Sequence, residues 1–212
     1  MSDFTPLLDL LGRRDEHFYG ATVGLVTNTR DPEGLGRVKV RFPLLSDHES
    51  SWARVVTPMA GRERGFFFLP EVDDEVLVLF EHGSLHAPYI LGGLWNGADV
   101  PPETNQDGRN NIRLVKSRSG HTIRLDDTEG AEKITIADKS GKDSITFDAA
   151  QNTLTIAAEA DITIESRSGA IKLSAQSVEI SGKGGVTLAS DAGMDVKAAA
   201  QLKIKGATVD IN

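Results

Sequence analysis

The chain contains no cysteine, so neither a disulfide framework nor a thiolate metal site is open to it. No stretch approaches the ~18–20 consecutive apolar residues of a membrane-crossing helix. Residues 1–15 carry acidic groups and only a short apolar run, unlike a secretory leader. Positive charge is scarce as well. Residues 1–105 hold 9 Lys+Arg against 16 Asp+Glu, a net of −7, and residues 106–212 hold 14 against 15, a net of −1. Neither half offers the basic surface that a phosphate backbone demands, which argues against nucleic acid as a partner. Two further scarcities divide the chain. The last of its eight prolines is Pro102, and of its twelve aromatic residues only Phe147 lies beyond Trp95. The first half therefore carries an ordinary globular core, whereas the second must build its interior almost wholly from aliphatic side chains.

What the second half does have is a repeat. An apolar–polar–apolar triplet recurs twelve times, from Ile112-Arg113-Leu114 and Ile123-Arg124-Leu125, through Ile162-Thr163-Ile164, to Val209-Asp210-Ile211. The first residues of successive triplets are 11 apart three times, then 9, 8, 9, 7, 8, 8, 8 and 7. Flanking positions are always apolar and middle positions always polar, the period of two of a short strand with one buried face. Ser, Gly, Ala, Asn, Asp, Gln and Lys fill the intervals, as expected of tight corners and solvated edges.

A repeat of about eight residues is too short for one coil of a single-chain solenoid, and two aliphatic side chains return less than the entropy cost of ordering such a unit. A lone chain would also leave its small strands with unpaired edges. Winding three copies about one axis answers both problems, each strand pairing with strands of the other chains above and below it. Residues 112–212 are thus expected to form an intertwined, trimeric, triple-stranded β-helix. At about 4.8 Å per layer, twelve layers give a rod of roughly 50–60 Å.

The first half reads as an all-β domain. Residues 5–16 suggest a short N-terminal helix (domain limits 1–17) with Thr5 as cap and Pro6 at its first position. Its Leu7, Leu8, Leu10 and Leu11 form an apolar stripe that either packs on the adjoining domain or docks a partner. Strands are expected over 21–28, 37–42, 52–57, 66–69, 76–80 and 89–94. That many strands in some 80 residues, with no room for crossover helices, suggest a five-stranded barrel of the oligonucleotide/oligosaccharide-binding (OB) kind over 18–97. Residues 98–111 are a polar linker stiffened at Pro101-Pro102.

Several stretches together resemble a known family. Gly34-Leu35-Gly36-Arg37-Val38-Lys39-Val40-Arg41-Phe42-Pro43, Trp52-Ala53-Arg54-Val55, Pro58-Met59-Ala60-Gly61, Phe68-Leu69-Pro70-Glu71-Val72-Asp73-Asp74-Glu75-Val76-Leu77-Val78 and Pro88-Tyr89-Ile90-Leu91-Gly92 are similar to the central spike proteins of contractile injection machines. That family includes phage baseplate spikes and the valine–glycine repeat proteins of type VI secretion. Ser119-Gly120-His121-Thr122-Ile123 with Asp126-Asp127 resembles its entry into the β-helix. One departure is Asp73, where the family commonly has Gly in a turn. The resemblance implies a homotrimeric, non-enzymatic, cofactor-free spike, assembled in the cytoplasm and placed at the distal end of an inner tube, that pierces a target-cell envelope. It also implies a separate trimeric baseplate hub, with Leu7, Leu8, Leu10 and Leu11 as candidate contacts, and room for effector cargo. Some relatives close the needle with a His-x-His iron site. The final histidine here is His121, so a conical tip protein with proline–alanine–alanine–arginine repeats is expected to dock on Val209, Asp210, Ile211 and Asn212 instead.

Other chemistry is weaker. His82 and His86 have the spacing of metal ligands on a helix, but Gly83 and Pro88 argue for a loop. Gly182-Lys183-Gly184-Gly185 lacks the Ser/Thr and helix of a phosphate-binding loop. Asp73-Asp74-Glu75 and Asp126-Asp127 read as solvated turns, and no nucleophile elbow or supported carboxylate pair marks a catalytic site. The alternatives to a spike are a stalked OB module that binds nucleic acid or sugar, and a cell-wall hydrolase. The first requires a basic groove with exposed aromatics, and the second a catalytic domain.

Overall fold

The computed structural model describes residues 17–210, the side chains of 46–48 excepted; the helix expected over 1–17 lies outside it, save His17. Alternation of apolar and polar residues builds the first half into β1 (Thr22–Asn28), β2 (Lys39–Phe42), β3 (Ser46–Glu49), β4 (Arg54–Val55), β5 (Ala60–Gly61), β6 (Arg64–Gly65), β7 (Glu75–Phe80) and β8 (Pro88–Gly93). One sheet runs in the order β3-β2-β1-β7-β8-β4. All its pairings are antiparallel except β4 with β8, where Arg54 and Val55 lie beside Tyr89 and Ile90. Val38, just before β2, and Ala53, just before β4, exchange two backbone hydrogen bonds of 3.0 and 2.7 Å. This bridge curls the sheet back on itself, so β1, β2, β4, β8 and β7 ring a common interior as in the expected OB barrel.

That interior holds Val26, Val38, Val40, Phe42, Ala53, Val76, Val78, Phe80 and Ile90, none more than 8% exposed. Phe80 meets Phe42 and Phe18 edge-on, with ring centroids 5.3 and 5.9 Å apart. Gly24 lies where a Cβ would come within 3.2 Å of Val78 and 3.3 Å of Val40, so any side chain there would press on both neighbours. The strand expected over 66–69 does not form. Phe66, Phe67 and Phe68 follow a two-residue hairpin, β5–β6, in an extended loop and stay largely exposed. Three consecutive phenylalanines have no alternation with which to choose one face. Asp73, the departure from the family's glycine, stands at φ 75° in the turn before β7, the left-handed region that glycine enters freely.

The second half departs from expectation in its pairing. β9 (Ile112–Lys116), β10 (Thr122–Asp126), β11 (Lys133–Ala137), β12 (Ser144–Asp148) and β13 (Thr153–Ala157) pair in sequence order as one antiparallel sheet within the chain. The spacing explains it. Triplets 11 or 9 residues apart leave enough chain between five-residue strands to reverse direction in a hairpin. Aspartates close these reversals. Asp126 accepts from the amide and hydroxyl of Thr128 at 3.1 and 2.6 Å, and Asp138 accepts from the amide and hydroxyl of Ser140 at 3.0 and 2.9 Å. Asp148 accepts from the Gln151 amide at 2.9 Å. These donors stabilise the charged form; the Ser140 amide foremost lowers the Asp138 pKa to about 2.

Compact units divide as Met1–Glu159 and Ala160–Asn212. Across 160–210 the spacing falls to 7–9 residues and neither strand nor helix forms, all residues there being exposed. Among the described residues no helix is long and apolar enough to cross a membrane.

Candidate functional site

The five-strand sheet presents its faces the wrong way round for a protein in water. Cross-strand partners share a face. One row of partners is therefore Arg113, Leu125, Ile134, Phe147 and Leu154, and the next is Val115, Ile123, Ile136, Ile145 and Ile156. All nine apolar members of this face are exposed, from 37% at Ile145 to 58% at Leu154. On the opposite face Thr135, Thr146, Ala137, Ser144, Lys133 and Asp148 alternate with them, and most of these polar or small side chains are half-buried. Lys133 and Asp148 form an ion pair of 2.9 Å there. A contiguous apolar surface of this kind marks an interface.

One triplet does not join that face. In β9 it is Arg113 and Val115 that lie opposite Leu125 and Ile123, so Ile112 and Leu114 point the other way. There they line a cavity of about 550 Å³ with Trp95, Pro102 and polar groups of the 103–111 segment. Ile112, Leu114 and Val115 place apolar groups on both faces, so the sequence pattern of β9 is compatible with either orientation.

Arg37, Lys39 and Arg54 on the barrel surface are each paired with carboxylates. Asp31, its side chain only 3% exposed, accepts from the Arg37 Nε and Nη2 at 2.9 and 2.7 Å and from the amides of Glu33, Leu35 and Arg37. The Arg37 guanidinium, above all, holds the Asp31 carboxyl far below the usual range. Trp52 carries Arg37 and Lys39 near its ring, but Arg37 is committed to Asp31 and Glu33, and Lys39 to Glu49 at 2.7 Å. Arg54 donates to the Tyr89 hydroxyl, which donates to Glu81 at 2.9 Å. Cations already matched by carboxylates beside their aromatic neighbours do not make a track for phosphates. A separate groove of about 640 Å³ is lined by Leu35, Met59, Phe66, Phe67 and Phe68.

The residues singled out for partner docking fall elsewhere. Val209 is exposed and Asp210 lies beside it, whereas Ile211 and Asn212, like Leu7, Leu8, Leu10 and Leu11, are outside the described residues. His82 sits in a 3-10 turn, Glu81–Gly83, at φ 49°, with His86 in the loop beyond.

Comparison with known proteins identifies the domain. Residues 22–95 match the type VI secretion system/phage-baseplate injector OB domain. The chain is 30% identical over 128 residues to the type VI secretion system spike protein VgrG1a of Pseudomonas aeruginosa, covering 52% of this chain and 19% of that protein. It is 32% identical over 109 residues to the spike protein VgrG5 of the same organism, covering 47% and 14%. The actin cross-linking toxin VgrG1 of Vibrio cholerae is 29% identical over 116 residues, covering 52% and 10%. The chain thus spans at most about a fifth of the length of these curated relatives. Residues 22–95 thus carry an injector OB domain of the type VI secretion and phage-baseplate kind, and about half of the chain is similar to VgrG spike proteins.

Proposed function

We propose that the protein is a non-enzymatic structural spike of a contractile injection machine, working as a homotrimer. The observation that carries this reading is the exposed apolar face of β9–β13. Nine aliphatic or aromatic side chains in two parallel rows are satisfied by other copies of the same surface, because such a face repeats the same spacing and width. Three sheets turned inward make a prism in which these rows form a common core and the threonine-rich faces meet solvent. The seven triplets from Ile162 onward continue the array mostly at 7 or 8 residues, where a strand has little room to fold back and would find its neighbours on other chains. On this reading residues 112–212 form the shaft, 98–111 the link, and 18–97 a barrel that broadens the head.

The mechanical role follows from that build. Sheath contraction delivers force along the axis, and a shaft whose strands are all paired cannot lose one layer without disturbing the next. The hub would grip the barrel end, with Leu7, Leu8, Leu10 and Leu11 as contacts. A conical tip would cover the strand edges at Val209, Asp210, Ile211 and Asn212. Light scattering of the purified chain tests the central claim: three times 22.8 kDa is expected, and a stable monomer at micromolar concentration overturns it.

A further inference from the structure

The apolar face is almost featureless, and that poses a problem for three identical chains. Leu, Ile and Val repeat from layer to layer, so one copy displaced by a single strand along the others would lose only one layer of contacts. Phe147 marks one layer by bulk. The other mark on the face is Arg113. It occupies the position in β9 that leucine or isoleucine occupies in β10, β11 and β13, and Asp127, one residue past β10, completes it. Arg113 Nη1 donates to Asp127 Oδ2 and to the Asn110 carbonyl, the latter at 3.3 Å. Both side chains are more than half exposed, and the apolar neighbours Leu125, Ile123 and Val115 on the same face are exposed to a lesser degree.

We infer that Arg113 and Asp127 form a charged collar that closes the apolar column at the barrel end and sets the register of the three copies. The inference rests on the trimer reading above. In register, three guanidiniums and three carboxylates gather in the first layer, balanced in charge and open to water on the barrel side. One layer out of register, the Arg113–Asp127 pair of the displaced copy faces an aliphatic layer of its neighbours, where taking even a paired set of charges out of water is disfavoured. A single polar position within a repetitive apolar seam is a known way of choosing register. The inversion of β9 serves the same end. By turning Ile112 and Leu114 away, toward Trp95 and Pro102, it brings the charged residue onto the inner face.

The test exploits the gathering of charge from separate chains. Full-length Arg113→Glu and Asp127→Arg chains are co-expressed with tags of different mass, and the trimers are sorted by native mass spectrometry. A trimer of either variant alone carries six like charges in the collar, whereas mixed trimers nearly cancel. Mixed species should therefore rise from the three-quarters or so of random assortment to about nine-tenths or more. A random distribution overturns the collar while wild-type chains remain trimeric. If wild-type chains prove monomeric, the trimer reading falls and takes the collar with it. A double variant, Arg113→Glu with Asp127→Arg, restores the pair within each chain and should assemble alone. Its failure to do so also counts against the proposal.

Discussion

The barrel and the five-strand sheet each contribute nine apolar side chains to a surface, and they treat them in opposite ways. In the barrel, curvature and the Val38–Ala53 bridge turn every one inward, to 8% exposure or less. In the β9–β13 sheet, the apolar rows stay open among the described residues, every member being at least 37% exposed. Strand content, alternation and aliphatic composition are alike in the two. What differs is closure: the barrel's strands return to their starting point, and the meander's do not. A domain that seals its own core is complete as a monomer. One that leaves an equal number of side chains open is one side of a larger object.

The comparison is broken most forcefully by charging the open face. Phe147→Asp, or Ile164→Asp in the later triplets, places a carboxylate from each chain in an apolar interior, at several kcal/mol per ion. Assembly at micromolar concentration should be lost by light scattering. Thr146→Asp and Thr163→Asp, one position away and on the polar face, should leave it intact; equal behaviour of the two kinds of variant refutes the assignment of faces. Ile90→Ala probes the sealed side. Its cavity should lower barrel stability by about 2–5 kcal/mol in denaturant melts, with the oligomeric state unchanged. A change in both would mean that the two regions do not hold their cores separately.

Acid sharpens the contrast further. Asp138 has its pKa lowered from 3.8 to about 2, so its contribution is complete above about 4 and is lost as pH falls through about 2. Amide exchange at Ser140 and Asp143 should accelerate across that window. The loop closed by Asp31, whose carboxyl is held lower still by Arg37, should remain protected; the reverse order would show that Arg37 is not what holds that loop. The smallest effect is expected at Asp73. Asp73→Gly relieves a left-handed backbone but loosens the unfolded chain, and the two should cancel to within about 1 kcal/mol. Asp73→Val should destabilise by ~1–2 kcal/mol, and a neutral valine would show that the turn relaxes.

Legibility in the sequence followed the same division. Alternation in Glu75–Phe80 and Lys39–Phe42 placed two barrel strands, because each element's pattern is satisfied inside the domain. Residues 66–69 misled, since three phenylalanines look like a strand by composition while the backbone leaves the sheet at Gly65. The repeat was visible in full, but not its pairing. Whether an apolar strand finds its neighbour in the same chain depends on how much chain lies between strands. The step from 11 to about 8 residues carries that information only when read against the length of a hairpin. The inversion of β9 was hidden because Ile112, Leu114 and Val115 satisfy either face. The docking residues at the two ends involve surfaces of other proteins, which one chain's periodicity does not contain.

The change of spacing also has a consequence in time. Hairpins close in microseconds and depend on no other molecule, so β9–β13 can pair while the chain is still alone. The segment beyond Glu159 has no such local route, and its strands wait on encounters whose rate rises with protein concentration. A trimer built this way would first be brought together by three preformed sheets and then wind outward, away from the barrel. Pulse-labelled exchange during refolding should find protection over 112–157 at a rate independent of concentration, with 160–210 following at one that is not. On that reading the segment beyond Glu159 would be the last part of the shaft to order.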